Sequence, residues 1–442
     1  MLINLTNTFL NGCLFFINVV KVYFDTSGCS INFSESEIMK GLLAEHEFEI
    51  VNSPEDAFVI IINICTVKNN TNALKKIRKL SELKNKKFIV AGCITKSIIP
   101  EIREIVPEAS LISTHNIKEI VSVIEETIND NVVEILGKSS DNKINLPRVR
   151  KNKIVGIIPI SSGCLGYCSY CSVKLIKGDL KSYPIEMIIK EINTALNDGC
   201  KEIWLTSQDT GAYGKDINSS LVELLKEIVK IDRGFMIRVG MMNPDHVIRM
   251  LDDLIEVYKN PKIFKFIHIP VQSGNNEILQ LMKRKYFVGD FKKIVNRFRE
   301  SFEHITISTD IIVGFPTETK EQFQDSLNLV EEIKPDVINI SRFNPRPGTD
   351  AAKMEQLSGE DIKNRSRLLT SVFDWVGFSV NKKWSKWGGS VLIDEKGKKG
   401  TFMGRNFAYK PIVIEGEFKL GNKVRVQIID ITKHYLVGEV LD

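Results

Sequence analysis

Three cysteines lie close together in one short segment, Cys164-Leu-Gly-Tyr-Cys168-Ser-Tyr-Cys171. The segment follows a predicted strand, so we expect the three thiols in a loop. Thiolates at this spacing can ligate three irons of a 4Fe–4S cluster and leave the fourth iron open to a small molecule. A structural zinc site would need a fourth Cys or His, and none is near in the sequence. A coincidental trio of loop cysteines and a closed electron-transfer cluster stay open as alternatives.

Three further cysteines share a different feature, because each stands at the end of a predicted N-terminal strand. They are Cys29, Cys65 and Cys93, spread over 65 residues. The carboxyl edge of an open α/β sheet is where ligands bind. The residues alone leave buried structural cysteines as an equal alternative, because cysteine is often a small core residue.

The overall composition is that of a globular protein, with 442 residues, 43% apolar and 26% charged. That length allows two or three domains. The net charge is +5, and residues 381–442 alone contain 12 Lys/Arg and 7 Asp/Glu, which indicates an anionic partner for the C-terminal part. Clustered cysteines without a secretory signal favour metal binding over disulfides, and we expect a cytoplasmic protein with no membrane span.

The N-terminal apolar stretch, Phe9 to Phe24, is interrupted by Asn and Lys and is too short to cross a bilayer. No basic residue precedes it, which disfavours a signal peptide. We therefore predict that residues 1–20 are a leader of doubtful function or an over-extended gene start, with Val20 marking an alternative start. An intact mass beginning at Met1 would exclude the over-extended start.

Residues 21–136 alternate between apolar strands and helices, which predicts a small doubly wound α/β domain. The predicted strands are 21–26, 57–63 and 87–91, and the predicted helices are 34–45 and 72–84. A polar, basic stretch at 137–153 is predicted to be a linker.

Residues 154–380 form a second β/α series, which predicts a partial (β/α) barrel with its chemistry at the carboxyl ends of the strands. The helix at 184–197 begins with Pro, which the first helical position tolerates. The six predicted strands are 154–160, 202–206, 236–240, 264–270, 306–313 and 337–342.

Residues 381–442 are predicted to form a small β-barrel of the oligonucleotide-binding type. The five short strands are 390–393, 400–405, 411–414, 423–431 and 436–440. Basic residues alternate there with aromatics, so phosphates and unpaired bases are candidate ligands, and a solvated basic face is the alternative. The candidate RNA-binding residues are Lys398, Lys399, Arg405 and Lys410.

Polar residues at the predicted ends of the barrel strands are candidates for cofactor binding. The open iron can hold the amino and carboxylate groups of S-adenosylmethionine, whose cleavage yields a 5′-deoxyadenosyl radical. The candidates are Gln208, Asp209, Arg238, Gln272 and Asp310. An ion pair in the barrel mouth is the alternative for Arg238, and His268 can equally be a satisfied interior histidine. We assign no catalytic acid or base.

Besides the cysteine triad, four segments of the barrel region carry a family likeness: Trp204–Gly214, His268–Gly274, Asp310–Pro316 and Arg346–Thr349. Together they resemble the radical S-adenosylmethionine methylthiotransferases, over about residue 21 to the end. Arg238-Val-Gly-Met-Met-Asn-Pro244 and the Thr-Ser-Gln-Asp-Thr run make the likeness closest to the archaeal and eukaryotic branch. That branch acts on N6-threonylcarbamoyladenosine next to the anticodon of tRNA.

The resemblance implies a second 4Fe–4S cluster, bound by Cys29, Cys65 and Cys93, whose open iron holds the sulfur that is transferred. It implies that Cys13 and Cys200 are not ligands, and we expect Cys200 in a packed core. It identifies the C-terminal barrel as a TRAM domain that binds RNA. It further implies that S-adenosylmethionine supplies both the methyl group and the radical that removes the hydrogen at C2 of the adenine. The implied partners are the tRNA anticodon loop, an electron donor and a sulfur source.

Several alternatives to this function stay open. Within the same chemistry, the substrate would be an isopentenyl-bearing adenosine or a ribosomal protein side chain. Outside it, the chain would be a non-catalytic iron–sulfur RNA-binding or electron-transfer protein, or a zinc-stabilised RNA-binding module.

Overall fold

The computed structural model describes residues 6–10, 13–17, 19–66, 70–139, 142–398 and 400–441. Two compact units divide the chain, Met1–Lys151 and Asn152–Asp442. Within the described residues, none of the helices is both long enough and apolar enough to cross a bilayer.

The N-terminal unit contains a short antiparallel pair of strands followed by an alternating β/α series. The pair, in the predicted leader, is β1 (Thr6–Leu10) and β2 (Cys13–Ile17). The series is β3 (Lys21–Thr26), α1 (Ser30–Glu45), β4 (Glu49–Val51), β5 (Val59–Cys65), α2 (Asn70–Ser81), β6 (Lys87–Cys93), α3 (Ile99–Ile105), β7 (Ser110–Ser113), α4 (Ile120–Ile128) and β8 (Glu134–Ile135).

The six strands β3 to β8 form one parallel sheet in the order β4-β3-β5-β6-β7-β8. One face packs on a core that contains Ile38 of α1 and Ile124 of α4. The other face packs on Ile77 of α2 and Ile102 of α3. Helices on both faces explain the uninterrupted apolar run of β5, which is buried throughout. The doubly wound prediction is confirmed, and the strand order reverses between β3 and β5.

The stretch predicted as a linker has little regular structure, but its described part lies along α1. Arg148 donates to Ser34 Oγ at 2.7 Å, and Val149 N–H donates to the Glu37 carbonyl at 3.0 Å. A Cβ on Gly41 would lie 2.3 Å from the Pro147 backbone, so only glycine allows this close approach. Residues up to Lys151 are thus tied to the N-terminal unit.

The second unit begins with a β/α series. Its elements are β9 (Val155–Pro159), β10 (Ser161–Ser162), α5 (Val173–Lys177), β11 (Lys181–Ser182), α6 (Ile185–Asn197), β12 (Glu202–Thr206), α7 (Leu221–Val229), β13 (Met236–Val239), α8 (Pro244–Val247), α9 (Leu251–Tyr258), β14 (Phe266–His268), α10 (Asn276–Leu281), α11 (Val288–Ser301), β15 (Thr306–Val313), α12 (Lys320–Ile333) and β16 (Val337–Arg342).

All six predicted barrel strands are present, but as two parallel three-stranded sheets, β13-β12-β9 and β14-β15-β16. A single bridge between Ile237 and Ile263 connects the β13 side to the segment before β14. Strand β14 is shorter than predicted and stops before Pro270, which has no N–H to donate to a ladder.

The C-terminal region has α13 (Gly359–Asn381) followed by a closed five-stranded barrel, as predicted. The barrel order is β17-β18-β19-β21-β20. Its interior is apolar and contains Val391, Ile412 and Val426. The strands are β17 (Gly388–Lys396), β18 (Thr401–Arg405), β19 (Pro411–Glu415), β20 (Lys423–Ile431) and β21 (Leu436–Val440).

Candidate active site

The loop that follows β10 carries Cys164, Cys168 and Cys171, and its backbone path depends on a glycine. Gly163 has φ +70, and a Cβ there would lie 1.8 Å from the Asp179 carbonyl oxygen. The loop is closed by Cys164 N–H to the Gly178 carbonyl at 3.2 Å and by Cys171 N–H to the Cys168 carbonyl at 3.2 Å. The three cysteines are therefore held on one short, folded loop.

Two of the thiols face the same point. A Cβ built on Gly166 would lie 3.7 Å from Cys164 Sγ and 3.8 Å from Cys168 Sγ. Burial and, less strongly, the neighbouring thiolates of Cys168 and Cys164 together raise the pKa of the Cys171 thiol to about 12. Burial also raises the pKa of Cys164. Three thiolates gathered there would repel one another unless cations such as iron neutralise them, which suits cluster ligation.

A 4Fe–4S cluster needs its thiolate ligands further apart than a single metal ion does, because each thiolate binds a different iron. In the part of the chain that the structure describes, no group of three His, Cys, Asp or Glu side chains is arranged to hold a single metal ion. A 4Fe–4S cube instead distributes three thiolates over three separate irons.

A cation lies against this loop that the sequence patterns did not reveal. Arg284, in the turn between α10 and α11, donates from Nη1 to Cys168 Sγ at 3.0 Å. Its Nη2 donates to Asn243 Oδ1, and its Nε donates to the Tyr286 hydroxyl at 3.1 Å. The candidates from the sequence were polar residues at strand ends, and Arg284 was missed because it lies on a turn between two helices.

Asp209 lies near enough to the cysteine loop to act electrostatically on Cys164, but its carboxylate is occupied by hydrogen bonds to neighbouring residues of the protein. Its carboxylate accepts the Gly211 N–H at 3.1 Å, the Asn243 N–H at 3.1 Å and Asn243 Nδ2 at 2.5 Å. His246 Nε2 lies 3.5 Å from the same carboxylate. With 3% of its surface exposed, Asp209 fixes Asn243, which in turn holds Arg284.

Gln272 follows the end of β14, as predicted, whereas Asp310 lies within β15, the central strand of the second sheet, and not at the end of that strand. Gln272 N–H donates to the Asp310 carbonyl at 2.8 Å, and Gln272 has φ 69. The Asp310 carboxylate is 2.9 Å from His268 Nε2 and accepts from Asn339 Nδ2 at 2.6 Å. His268 is thus partnered within the barrel. Gln208 is half-buried on the loop after β12.

Arg238 is enclosed by aromatic rings instead of reaching the cysteine loop. Its guanidinium carbon lies 5.0 Å from the ring centres of Trp204 and Phe266 and 5.3 Å from that of Tyr409. Tyr409 belongs to the C-terminal barrel. This position, near the middle of the β/α barrel strands and against the C-terminal barrel, argues against a role for Arg238 in binding the cofactor.

Two predicted RNA-binding residues form ion pairs where the C-terminal barrel meets the β/α barrel, Lys410 buried and Arg405 half-buried. Lys410 is 3% exposed, and its Nζ lies 2.8 Å from Asp336 and donates to Asn381 at 2.7 Å. Arg405 pairs with Asp394 at 3.0 Å and stacks on Tyr409 at 4.8 Å. Neither charge is available to a phosphate, so we revise both assignments to residues of this junction. The sequence pattern could not separate buried from exposed cations.

The other two RNA-binding candidates are the neighbouring lysines Lys398 and Lys399. Lys398 is exposed in the turn between β17 and β18. Lys399 lies outside the described residues.

Glu202, at the start of β12, gives this junction a predicted pH dependence. Burial and, less strongly, the Asp394 carboxylate raise the pKa of its carboxyl, the hydrogen bond from Trp204 opposes them, and the net result is a rise from 4.5 to about 7. The folded state keeps this proton at pH values where the unfolded state has lost it. That stabilisation is complete below about pH 4.5 and is lost as the pH rises through about 7.

We expect wild type to lose up to about 3 kcal/mol of unfolding free energy relative to Glu202→Gln over that pH range. Denaturant unfolding of both proteins at several pH values checks this. Glu256→Gln, the same change at an exposed position of α9, is the control. Parallel pH profiles for wild type and Glu202→Gln would contradict the prediction.

The N-terminal cysteines meet where the strand order of the sheet reverses. Cys65 and Cys93 end the neighbouring strands β5 and β6 and are paired in register. Cys29 precedes α1, and a Cβ on the adjacent Gly28, which has φ +133, would lie 2.7 Å from Cys65 Cβ. The structure therefore brings three residues spread over the sequence to one edge, which is the expected ligand edge.

An amide network supports this edge. Asn32 Nδ2 donates to the Ile64 carbonyl at 3.0 Å, and Asn63 Nδ2 donates to the Asn32 carbonyl at 2.9 Å. Cys29 Sγ lies 3.3 Å from Asn32 Oδ1. The two buried asparagines hold the start of α1 against β5, and so fix Cys29 beside Cys65. Sequence patterns did not identify either asparagine.

The two remaining cysteines are accounted for differently. Cys200 is 1% exposed and its sulfur packs near Gly156, which agrees with core packing. Cys13 lies in β2, and its side chain is outside the described part of the structure.

Three family descriptions match this chain in the order of its domains. Residues 21–113 match the uncharacterized protein family UPF0004, residues 158–330 match the radical SAM superfamily, and residues 390–441 match the TRAM domain. Radical SAM membership implies one 4Fe–4S cluster and S-adenosylmethionine. The cysteine loop of Cys164, Cys168 and Cys171 lies inside that match. The predicted fold class is confirmed.

A solved structure and two curated relatives carry the comparison further. The structure is a radical S-adenosylmethionine methyltransferase from Kitasatospora setae, solved with cobalamin and a 4Fe–4S cluster. It superposes with a TM-score of 0.56 at 12% identity, and the match covers 76% of this chain and 74% of that chain. At this identity the likeness shows the fold alone. A "probable threonylcarbamoyladenosine tRNA methylthiotransferase" of Pyrococcus horikoshii is 41% identical over 432 residues, 96% of this chain and 100% of the relative. The human threonylcarbamoyladenosine tRNA methylthiotransferase is 37% identical, over 95% of this chain and 74% of its own. This chain belongs to the family of threonylcarbamoyladenosine tRNA methylthiotransferases.

Proposed function

We propose that this protein attaches a methylthio group to C2 of N6-threonylcarbamoyladenosine, next to the anticodon of tRNA, by radical S-adenosylmethionine chemistry. The observation that carries the proposal is the similarity to the Pyrococcus horikoshii relative, which extends over the whole length of that relative. The loop of Cys164, Cys168 and Cys171 supplies the three thiols that such chemistry needs. Since a loop nucleotide is already unpaired, little unstacking energy is required to present the adenine.

The residues of the cysteine loop would bind and orient the reacting groups. Cys164, Cys168 and Cys171 would hold a 4Fe–4S cluster, and that cluster would supply the electron needed for reductive cleavage of S-adenosylmethionine. Asp209 keeps Asn243 in place, and Asn243 and Tyr286 keep Arg284 against Cys168. Gln208, Gln272 and Asp310 are our candidates for contacts to S-adenosylmethionine.

We place a second 4Fe–4S cluster on Cys29, Cys65 and Cys93. Support comes from their meeting at the carboxyl edge of two paired strands and from the match of residues 21–113 to a family description. Three protein ligands would leave one iron of this cluster open, and that iron could bind the sulfur that is transferred. Because the reaction consumes electrons and a sulfur atom, we also propose an electron donor and a sulfur source as partners. Since the proposed substrate is tRNA, we place the protein in the cytoplasm.

The product in tRNA tests this function directly. We expect the reconstituted protein, with reductant, sulfide and S-adenosylmethionine, to convert N6-threonylcarbamoyladenosine in tRNA to its 2-methylthio derivative, detected by mass spectrometry of digested tRNA. Transcripts that carry unmodified or isopentenyl-bearing adenosine are the substrate controls. Product on the isopentenyl-bearing tRNA alone would move the proposal to that substrate. Cleavage of S-adenosylmethionine with no tRNA product would favour a ribosomal protein substrate.

Contacts to tRNA phosphates are proposed for Lys398, in the turn after β17, and for Lys399. Lys398 is exposed. The logarithm of RNA affinity falls linearly with the logarithm of the salt concentration, and the slope is proportional to the number of phosphates that the protein neutralises. We expect Lys398→Met to weaken tRNA binding and to lower the slope of log K against log salt by up to about one unit. Filter binding at several salt concentrations measures it. Lys259→Met, which removes an exposed cation from the end of α9, is the control, and equal slopes for both variants would contradict the assignment.

A further inference from the structure

Arg284 is fixed on Cys168 by more contacts than a surface arginine needs. All three guanidinium nitrogens donate: to Cys168 Sγ, to Asn243 Oδ1 and to the Tyr286 hydroxyl. The guanidinium also lies 5.0 Å from the Tyr286 ring centre. The fork geometry of arginine allows this, and a lysine could not reproduce it.

The groups that hold Arg284 are themselves immobilised. The Tyr286 hydroxyl lies 2.9 Å from the Val271 carbonyl and 3.1 Å from the Pro270 carbonyl. Asn243 is held by two hydrogen bonds to Asp209, at 3.1 and 2.5 Å. The positive charge therefore cannot move away from the sulfur without breaking a packed network, so the contact is built into the fold.

We propose that Arg284 is a positioning residue that sets the reduction potential of the cluster on Cys164, Cys168 and Cys171. The inference rests on the proposed cluster at these residues. Hydrogen bonds to the ligand sulfurs and local charge are what tune such potentials. Reduction adds negative charge that is shared with the thiolates, and a hydrogen-bonded cation stabilises that charge more strongly than a neutral donor does. Arg284 thus makes the cluster easier to reduce.

A purely structural role for Arg284 would affect folding and cluster loading but not the potential of a loaded cluster. The test therefore measures potential by redox titration with electron paramagnetic resonance, without S-adenosylmethionine. The full chain carries Cys65→Ala, so that one cluster dominates the signal, and is reconstituted to about four irons per chain. The variants on this parent are Arg284→Met, Arg284→Lys and, as control, Lys285→Met, which removes the adjacent exposed charge.

We expect Arg284→Met to lower the equilibrium constant for reduction at least about tenfold, which is about 59 mV for one electron. Arg284→Lys should shift less, because it keeps the charge and loses the fork, and Lys285→Met should match the parent. A loaded Arg284→Met that titrates like the parent overturns the inference. If Arg284→Met binds no cluster, the reduction potential of loaded Arg284→Lys is compared with that of the parent, and an unchanged potential overturns the inference. A parent that binds no iron would instead count against the proposed function.

Discussion

Cys168→Ala is expected to abolish cleavage of S-adenosylmethionine while the rest of the protein stays folded. Losing one of three thiolates on the loop should release that cluster, so iron should fall from about eight to about four per chain. Cys168 is half-buried on a loop and contributes little to the apolar core, so we expect little loss of stability. The measurements are iron content after anaerobic reconstitution and 5′-deoxyadenosine formed with dithionite.

Cys200→Ala is the matched control, because it removes a buried cysteine that lies outside both trios. It should retain about eight irons and the wild-type yield of 5′-deoxyadenosine. Nucleoside formation by Cys168→Ala at the wild-type rate would contradict the assignment of the loop. No cleavage by fully reconstituted wild type would favour a non-catalytic iron–sulfur protein.

Cys65→Ala is expected to separate the two halves of the reaction. Because Cys65 ends β5 beside Cys93 and far in sequence from the cysteine loop, its loss should remove the N-terminal cluster only. Iron should again fall to about four per chain, 5′-deoxyadenosine should still form, and the methylthio product in tRNA should disappear. Mass spectrometry of digested tRNA, run beside the nucleoside assay, gives both readouts.

The control for Cys65→Ala is a variant that disturbs the same edge without touching a thiol. Ser36→Ala removes the hydrogen bond from Asn63 Nδ2, at 2.8 Å, and the one shared with Thr26 Oγ1, at 2.7 Å, and should keep both clusters with a modest loss of stability. If Cys65→Ala keeps about eight irons or still forms the tRNA product, the three N-terminal cysteines are not cluster ligands.

Short-range features of the fold could be derived from the sequence because they depend on local patterns. The strands β12, β15, β16, β20 and β21 begin and end where the apolar pattern predicts. Helix α1 starts earlier than predicted, at Ser30, because Asn32 hydrogen-bonds to β5 and ties that first turn to the sheet. Helix α13, between the two barrels, is not among the predicted helices, although Ser358 at its N-cap and the acidic Glu360 and Asp361 in its first turn are typical of a helix start.

The sequence by itself determined the order of the domains, their α/β and β-barrel classes and the three loop cysteines as candidate cluster ligands. These follow from periodicity and from spacing within one loop, which are properties of neighbours along the chain, whereas the choice of Cys29, Cys65 and Cys93 also needed the family resemblance. Only the tertiary structure decided that Arg284 lies on Cys168, that Asp209 acts through Asn243, and that Arg405 and Lys410 are ion-paired at a junction. Those contacts join residues far apart in sequence, and their burial depends on which surfaces pack together.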